Sequence, residues 1–409
     1  MQTLGSALDE QKGFAQGFDF LRIFLATSII GWHAAKLSGH VEMARTSVFW
    51  FSECLLVPMF FALSGFLVAG SSMRLSTKDF VLNRAARILP ALFADIVFAA
   101  LLIGPLVTTL SAKQYFADAT FFTYFLNITG WMQYFLPGVF ENNPLPEVNG
   151  ALWTVPFEIG CYVMLAGLMA SGAIKRPRLV LSFTYAALMV AIPLSFATSH
   201  LVSDHVSLLE NLAMNLFLFK GSLLLPSFLI GIVLYQLRHH IPFSRSFAIG
   251  LVCVAMLVSA AGDSNLLLNP AVSVIIIPLL GYLTVMIGLS PMPRLPGFGT
   301  GDYSYGLYLY HTPFLQLLIH YFPEALTGDL WWMLFFAGFA LSLTAAVISW
   351  HVLEYPVLKL RNSFVIKHRP EGGGFPTAII ALPPVPSEAK PAVTVGHDPA
   401  VAGLARQKL

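Results

Sequence analysis

Charged residues are scarce in this sequence. Only 11% of its 409 residues are Asp, Glu, Lys or Arg, and 56% are hydrophobic, whereas soluble proteins carry about 25% charged residues. This shortage of charge excludes an ordinary water-soluble protein. The mean hydropathy of +0.73 and repeated apolar runs close to the ~20 residues that cross a bilayer core indicate a polytopic helical membrane protein.

Cysteines and clustered basic residues are also too few to support several other classes of function. The three cysteines, Cys54, Cys161 and Cys253, lie in apolar runs and cannot form a disulfide framework. The net charge of +2 is not gathered into a basic patch, so we expect no nucleic-acid partner. The histidines between the apolar runs lack the Cys or carboxylate spacing of a metal site, so no metal ion is expected.

The apolar segments predict an all-α fold with ten transmembrane helices. Bounded by Gly, Pro or charge clusters, they cover approximately residues 18–38, 47–70, 89–110, 151–171, 179–198, 214–236, 246–262, 269–289, 304–321 and 330–353. The aromatic-rich connection 111–150 is predicted to be partly seated in the membrane or to face substrate. The chain then divides into a cytoplasmic segment 1–17, a transmembrane domain 18–358 and a cytoplasmic, largely disordered tail 359–409.

The distribution of lysine and arginine predicts the orientation in the membrane. Ten spans place both termini on one side, and the connections after the second, fourth, sixth, eighth and last spans carry most of the Lys and Arg residues. The opposite connections are richer in Asp and Glu. Because cytoplasmic loops carry an excess of positive charge, we expect both termini in the cytoplasm and a multi-pass protein of the inner (plasma) membrane, surrounded by membrane lipid.

The first predicted span contains two polar residues that share a face, Arg22 and His33. Eleven residues at 100° each return to within about 20° of the starting direction and rise ~16 Å. An ionisable group at membrane depth is costly and is therefore a functional hypothesis, and an imidazole is suited to act as a general base toward a hydroxyl. The alternatives are a histidine bonded to the carbonyl of a neighbouring helix and an arginine that only reaches the cytoplasmic interface.

The segment that follows the second span adds two arginines, Arg84 and Arg87. They lie three residues apart on a predicted helical turn, and the guanidinium fork is suited to bind phosphate. An ordinary positive-inside anchor explains the same pattern. Within the second span itself, Ser64 and Gly65 permit a close approach of the backbone, either to another helix or to a ligand.

Three further ionisable residues belong to the later spans. Glu158 lies about two turns inside the fourth span, where a carboxylate can orient a histidine, bind a hydroxyl or relay protons. His311 lies about 10 Å along the ninth span from its start at Ser304. Glu354 ends the last span at the cytoplasmic edge, where we expect it to neutralise one of the arginines.

Taken in order, these motifs resemble the acyltransferase-3 family of membrane O-acyltransferases. The resemblance spans about residues 15–358 and depends on the combination of six motifs: Arg22-x10-His33, the run Phe-Phe-x-Leu-Ser-Gly-Phe-Leu ending at Leu67, Arg84-x-x-Arg87 before Pro90, Leu152-Trp153-Thr154 with Glu158, Ser304-Tyr305 with His311, and Glu354 with Pro356. The family more often begins with Asp-Gly-Leu-Arg. Here Phe20 replaces the small residue, which puts the local packing beside Arg22 in doubt.

The resemblance implies an enzyme of the type that acetylates bacterial surface polysaccharides and exopolysaccharides. The donor would be acyl-CoA, usually acetyl-CoA, from the cytoplasm, and the acceptor a hydroxyl on a carbohydrate or lipid-linked glycan outside. By the same resemblance, Arg84 and Arg87 with Arg22, Ser64 and Gly65 would bind the donor.

The catalytic residues implied by the resemblance are His33, Glu158 and His311. His33 would act either as the general base or as a transient acyl carrier. Glu158 or His311 would position the acceptor. No permanently bound cofactor is expected.

Two other classes of function fit the polar residues of the spans. A proton-coupled transporter or exporter would use the intramembrane His and Glu residues to relay protons and would need no acyl-CoA. A noncatalytic membrane subunit of a glycan-assembly complex is the second alternative, and glycan-assembly proteins are possible partners of an enzyme as well.

Overall fold

The computed structural model describes residues 2–11, 15–47, 55–199, 221–260, 270–292 and 301–367. In these ranges every regular element is a helix, and the sole β-type pairing is an isolated bridge between Thr3 and Pro242. The predicted all-α fold class is therefore confirmed. Several segments of the predicted organisation lie outside the described residues: 48–54, 214–220, 261–262 and the tail from 368 to 409.

The α-helices are numbered here in chain order over the described residues. They are α1 (Leu4–Glu10), α2 (Gln16–Leu37), α3 (Val41–Thr46), α4 (Leu56–Ser72), α5 (Thr77–Phe98), α6 (Gly104–Val107), α7 (Ala112–Ala117), α8 (Ala119–Tyr124), α9 (Val155–Ala170), α10 (Pro177–Ser199), α11 (Gly221–Gln236), α12 (Arg245–Ala260), α13 (Pro270–Leu289), α14 (Ser304–Tyr321), α15 (Pro323–Leu326), α16 (Trp331–Ser349) and α17 (Tyr355–Lys367).

Three continuous helical stretches of the described chain are long and apolar enough to cross a membrane: Thr77–Val107, Gly150–Ala170 and Trp331–Arg361. Shorter apolar helices include α4, α11 and α13. These helices are those of a membrane protein. The count of ten spans and the cytoplasmic location of the termini stay predictions.

Prolines shape the two stretches that contain π-helical turns. The π-turns are Ala99–Ile103, between α5 and α6, and Trp350–Glu354, between α16 and α17. Each is followed at the second residue by a proline, Pro105 or Pro356. A proline has no N–H for the carbonyl four residues earlier and its ring clashes with that carbonyl, so a wider turn accommodates it.

Small residues bring α4 and α11 into backbone contact. A side chain at Gly65 would collide with the carbonyl oxygen of Phe228, and one at Gly231 would collide with the carbonyl oxygen of Ala62. Such close approach is typical of small residues at the interfaces of membrane helices. Gly65 is thus a packing residue, whereas the side chain of Ser64 lies among polar groups.

The connection 111–150 is folded against the helices of the bundle. Tyr115 is fully buried and donates to the carbonyl oxygen of Ala100 in the first π-turn at 2.7 Å. At the other end of the connection, Asn143 Nδ2 donates to the backbone and side-chain oxygens of Gln316 in α14, at 2.9 and 2.8 Å. Hydrogen bonds that satisfy buried polar groups therefore fix this connection on the first π-turn and on α14.

An ion-pair network built on Arg87 joins α5 to two distant segments. One guanidinium nitrogen lies 2.8 Å from Asp302, just before α14, and the other lies 2.7 Å from Glu354 in the second π-turn. The Glu354 side chain is only 1% exposed. The prediction that Glu354 neutralises an arginine is confirmed, and its partner is Arg87.

Loss of Arg87 is expected to destabilise the protein strongly. Arg87→Ala leaves the buried Glu354 carboxylate without its cation, and breaking a buried pair in this way costs about 3–5 kcal/mol. Glu42→Ala is the matched control, because it breaks the exposed Glu42–Arg45 pair and is expected to cost less than about 1 kcal/mol. Thermal unfolding in detergent measures both variants, and equal losses would contradict a stabilising role for the Arg87 network.

Candidate active site

The centre of the candidate active site is a pair of histidines on α2 and α14. His33 Nδ1 lies 2.8 Å from His311 Nε2, and the two ring centroids are 4.8 Å apart. His311 is fully buried and His33 is half-buried. The sequence predicted both residues as functional but not that they form a hydrogen-bonded pair.

The surroundings of His311 determine where the hydrogens of the pair lie. His311 Nδ1 is 2.7 Å from the carbonyl oxygen of Tyr308, and since a carbonyl oxygen only accepts, this nitrogen carries a hydrogen. In a neutral ring, Nε2 of His311 is then an acceptor, so Nδ1 of His33 donates to it. This leaves Nε2 of a neutral His33 unprotonated.

Arg22 occupies the other end of the polar face of α2. Its guanidinium lies 3.2 Å from Asp19 and 3.4 Å from Asp302. Arg22 therefore contacts the residue that precedes α14, while His33 contacts α14 itself. The common face of Arg22 and His33 that the eleven-residue spacing predicted is directed toward this helix.

Asp302 lies outside the predicted spans and contacts two arginines, Arg22 and Arg87. Burial opposes its ionisation, but Arg87 and Arg22, together with a 2.6 Å hydrogen bond from Ser304 Oγ, hold the pKa of the Asp302 carboxyl below its ordinary value of 3.8. Asp302 is thus ionised at neutral pH. Its charge offsets part of the positive charge of the two arginines.

A second polar cluster joins α9 to α4. Tyr162 donates to Glu158 Oε1 at 3.0 Å, and its hydroxyl oxygen lies 3.2 Å from Ser64 Oγ. The Arg84 guanidinium carbon is 5.8 Å from the centre of the Tyr162 ring, within the range of a cation–π interaction. Glu158, Ser64 and Arg84, predicted separately from the sequence, are therefore brought together around Tyr162.

Arg84 and Arg87 differ in their electrostatic partners. Arg87 is held by two carboxylates, whereas Arg84 makes no ion pair with any residue that the structure describes. The Nε of Arg84 is also buried without a hydrogen-bond partner. The sequence predicted one role for both arginines, but only Arg84 carries a charge that no neighbouring carboxylate offsets by an ion pair.

Tyr308 links the histidine pair to the segment that carries Glu158. Its hydroxyl lies 2.7 Å from Thr154 Oγ1 and 3.1 Å from the carbonyl oxygen of Ala151. Both partners belong to the 3-10 turn Gly150–Thr154, which leads directly into α9. Among the described hydrogen bonds, none joins Glu158 to either histidine, so Tyr308 provides the connection between the two clusters.

Two buried residues at this junction were missed in the sequence. Asp95 and Asn149 are both fully buried, and Asn149 Nδ2 donates to Asp95 Oδ2 at 2.9 Å. Asp95 carried a signal, because it is the one ionisable residue of the predicted span 89–110. Asn149 carried none, since a single amide in a long connection is ordinary.

Comparison with known proteins places these residues in a family. The model of the acyltransferase domain family matches residues 16–351 of this chain. Nodulation protein 10 of Rhizobium leguminosarum bv. viciae is 26% identical over 389 residues, which cover 89% of this chain and 99% of that protein. An O-acetyl transferase of Shigella phage Sf6 is 26% identical over 310 residues, covering 74% of this chain and 85% of the phage protein.

No solved structure matches this chain significantly. The family match alone covers far more than half of the sequence and includes both histidines, the arginines and Glu158. The apolar helices agree with a membrane protein. The chain belongs to the acyltransferase-3 family and is an acyltransferase.

Proposed function

We propose that this acyltransferase moves an acetyl group from acetyl-CoA in the cytoplasm to a hydroxyl of a glycan or lipid-linked glycan outside the inner membrane. The observation that carries the proposal is the histidine pair, in which Nε2 of His33 is left as an unprotonated nitrogen. The name of the phage relative, an O-acetyl transferase, supports acetyl as the group transferred and oxygen as its acceptor.

The proposed reaction uses Nε2 of His33 as the general base. It takes the proton of the acceptor hydroxyl while the hydroxyl oxygen attacks the thioester carbonyl carbon. The carbon–sulfur bond then breaks, CoA leaves as the thiol after receiving that proton, and the ester remains on the acceptor. A relay through a transient acyl-histidine would use the same nitrogen as nucleophile.

His311 and Glu158 have different roles in this proposal. Both ring nitrogens of His311 are engaged, one by the Tyr308 carbonyl and the other by His33. We assign to His311 the orientation of His33 and the choice of its tautomer. Glu158, which holds Tyr162 beside Ser64, is assigned to positioning a hydroxyl of the substrate.

Arg84 is the proposed anchor for the donor. Its charge has no ion-pair partner in the described chain, and several polar atoms near α5 are buried without a hydrogen-bond partner. These atoms are both side-chain amide atoms of Asn83, the Nε of Arg84, the hydroxyl of Tyr305 and the indole nitrogen of Trp350. Because buried polar groups are nearly always hydrogen-bonded, this region has the capacity to bind a polar, phosphorylated ligand.

Arg87 and Arg22 support the donor site indirectly in this proposal. Their shared partner Asp302 and the buried Glu354 fix them in place. The Arg87 guanidinium also lies 5.5 Å from the Tyr305 ring and 5.4 Å from the Trp350 ring. Arg87 lies on the same helix as Arg84, α5, and we assign to it the positioning of these two aromatic residues beside that helix.

The proposed membrane arrangement retains ten spans with both termini in the cytoplasm. The excess of Lys and Arg in alternate connections supports this orientation. It places Arg84 near the cytoplasmic side, where acetyl-CoA is present, and the connection 111–150 on the side of the glycan. Glycan-assembly proteins that deliver the acceptor are the expected partners.

Replacement of His33 is expected to abolish transfer. His33→Gln removes the general base and should lower kcat by about 100- to 10,000-fold. Membranes incubated with radiolabelled acetyl-CoA and acceptor glycan, and then assayed for alkali-labile label, measure the effect. His320→Gln on the same helix as His311 is the matched control and should retain activity. Ester formation by His33→Gln at the wild-type rate would remove His33 from the mechanism.

Replacement of Arg84 is expected to weaken binding of the donor phosphates. A charge-assisted hydrogen bond contributes about 1.5–3 kcal/mol, so Arg84→Ala should raise the KM for acetyl-CoA by about 10- to 100-fold. The KM for acetyl-pantetheine, which lacks the nucleotide phosphates, should stay unchanged. Arg178→Ala, which removes an exposed arginine, controls for general charge effects. An equal rise in KM for both donors would contradict the assignment.

A further inference from the structure

The amide side chain of Asn149 makes three hydrogen bonds inside the bundle. Its Nδ2 donates to Asp95 Oδ2 and to the carbonyl oxygen of Leu309, each at 2.9 Å. Its Oδ1 accepts from the backbone N–H of Ala151 at 3.1 Å. Asn149 is completely buried, so one side chain ties together α5, α14 and the turn that precedes α9.

A proline makes the Leu309 carbonyl available for this contact. In a regular helix this oxygen would accept from the N–H four residues later. That residue is Pro313, inside α14, and a proline has no N–H to donate. The Leu309 carbonyl, which lies two residues before His311, is therefore left free by Pro313 and bound from outside the helix by Asn149.

Two backbone groups determine which way the Asn149 amide faces. The Leu309 carbonyl can only accept and the Ala151 N–H can only donate, so a reversed amide would be unfavourable at both contacts. Asp95 Oδ2 accepts the second hydrogen of the correctly oriented amide. Since a carboxyl group at membrane depth is costly, the presence of Asp95 at this contact points to a specific use.

The contacts of Tyr308 continue the connection to the histidines. Its hydroxyl contacts Ala151 and Thr154 of the turn that Asn149 starts. Its own carbonyl accepts from His311 Nδ1 at 2.7 Å. Two consecutive residues of α14, Tyr308 through its side chain and Leu309 through its backbone, are thus held by Asn149 and the turn that follows it. They lie three and two residues before His311.

We propose that Asp95, Asn149 and Pro313 are positioning residues that fix His311, and through it His33, relative to the segment carrying Glu158. Pro313 opens one carbonyl of α14, Asn149 binds it, and Asp95 holds Asn149 through the second hydrogen of its amide. None of the three touches the reacting atoms. The effect on catalysis rests on the proposed function, whereas the effect on the geometry of the histidine pair does not.

The first test compares Asn149→Ala with Asn127→Ala. Asn127 is the matched control because it is also fully buried and makes three hydrogen bonds, but within the connection 111–150 and away from α14. A small misplacement of a catalytic group can cost about 100-fold in rate. Asn149→Ala should therefore lower kcat by about 100-fold with little change in the KM for acetyl-CoA, and Asn127→Ala should keep kcat. Equal losses of kcat in both variants would overturn the proposal.

The second test separates positioning from the mere satisfaction of a buried carbonyl. Pro313→Ala restores an N–H to Leu309, so the double variant Asn149→Ala/Pro313→Ala should unfold at a higher temperature than Asn149→Ala alone. Its kcat should stay as low as that of Asn149→Ala, because α14 is still not tied to the turn before α9. Recovery of kcat together with stability would show that Asn149 only satisfies the carbonyl, and would overturn the proposal.

The third measurement is independent of turnover. Nitrogen-15 histidine spectra of the solubilised protein, assigned by difference from His33→Gln and His311→Gln, report the tautomers of the pair. The wild type and Asn127→Ala should show His311 protonated at Nδ1, and Asn149→Ala should lose this pattern. An unchanged pattern in Asn149→Ala would overturn the proposal, whatever the activity of that variant. If the wild type has no acetyl transfer but the pattern changes as expected, the proposed function fails and the positioning role stands.

Discussion

The site depends on the 2.8 Å hydrogen bond between His33 and His311. Polar groups inside an apolar bundle are costly unless they are paired, so each histidine needs the other. Because the Tyr308 carbonyl accepts from His311 Nδ1, the direction of the hydrogen bond is fixed and one nitrogen of His33 is left unprotonated. The proposed chemistry follows from this asymmetry, because different neighbours give the two histidines different hydrogen-bonding states.

The same requirement explains the architecture around the pair. Arg87 can be largely buried, with 16% of its side chain exposed, because Asp302 and Glu354 offset its charge, and Arg84 beside it has no such partner in the described chain. Prolines interrupt the helices near these groups, and the resulting free carbonyls and π-turns allow side chains from other segments to enter. A continuous apolar helix would pack well but could not bring together the base, the carboxylate and the cation that the proposed reaction requires.

Much of the site could be predicted from the sequence because ionisable residues at membrane depth are few. The eleven-residue spacing placed Arg22 and His33 on one face, and the all-α fold followed from the apolar runs. The difference between Arg84 and Arg87 could not be predicted, since the counter-ions of Arg87 come from segments more than two hundred residues away. The contacts of Asn149, from which its proposed role is argued, were equally hidden, because the conformation of the connection 111–150 is set by tertiary hydrogen bonds and not by a local pattern.

The central claim is that the donor's acyl carbonyl meets the unprotonated nitrogen of His33 inside the helical bundle. It is tested most directly by a structure of the protein in lipid nanodiscs with an unreactive acetyl-CoA analogue in which a methylene replaces the thioester sulfur. We expect the acyl carbonyl carbon within about 3.5 Å of the space that an acceptor oxygen bonded to His33 Nε2 would occupy, with the donor phosphates at Arg84. An acyl group bound away from His33, or an Nε2 of His33 covered by protein in that complex, would contradict it.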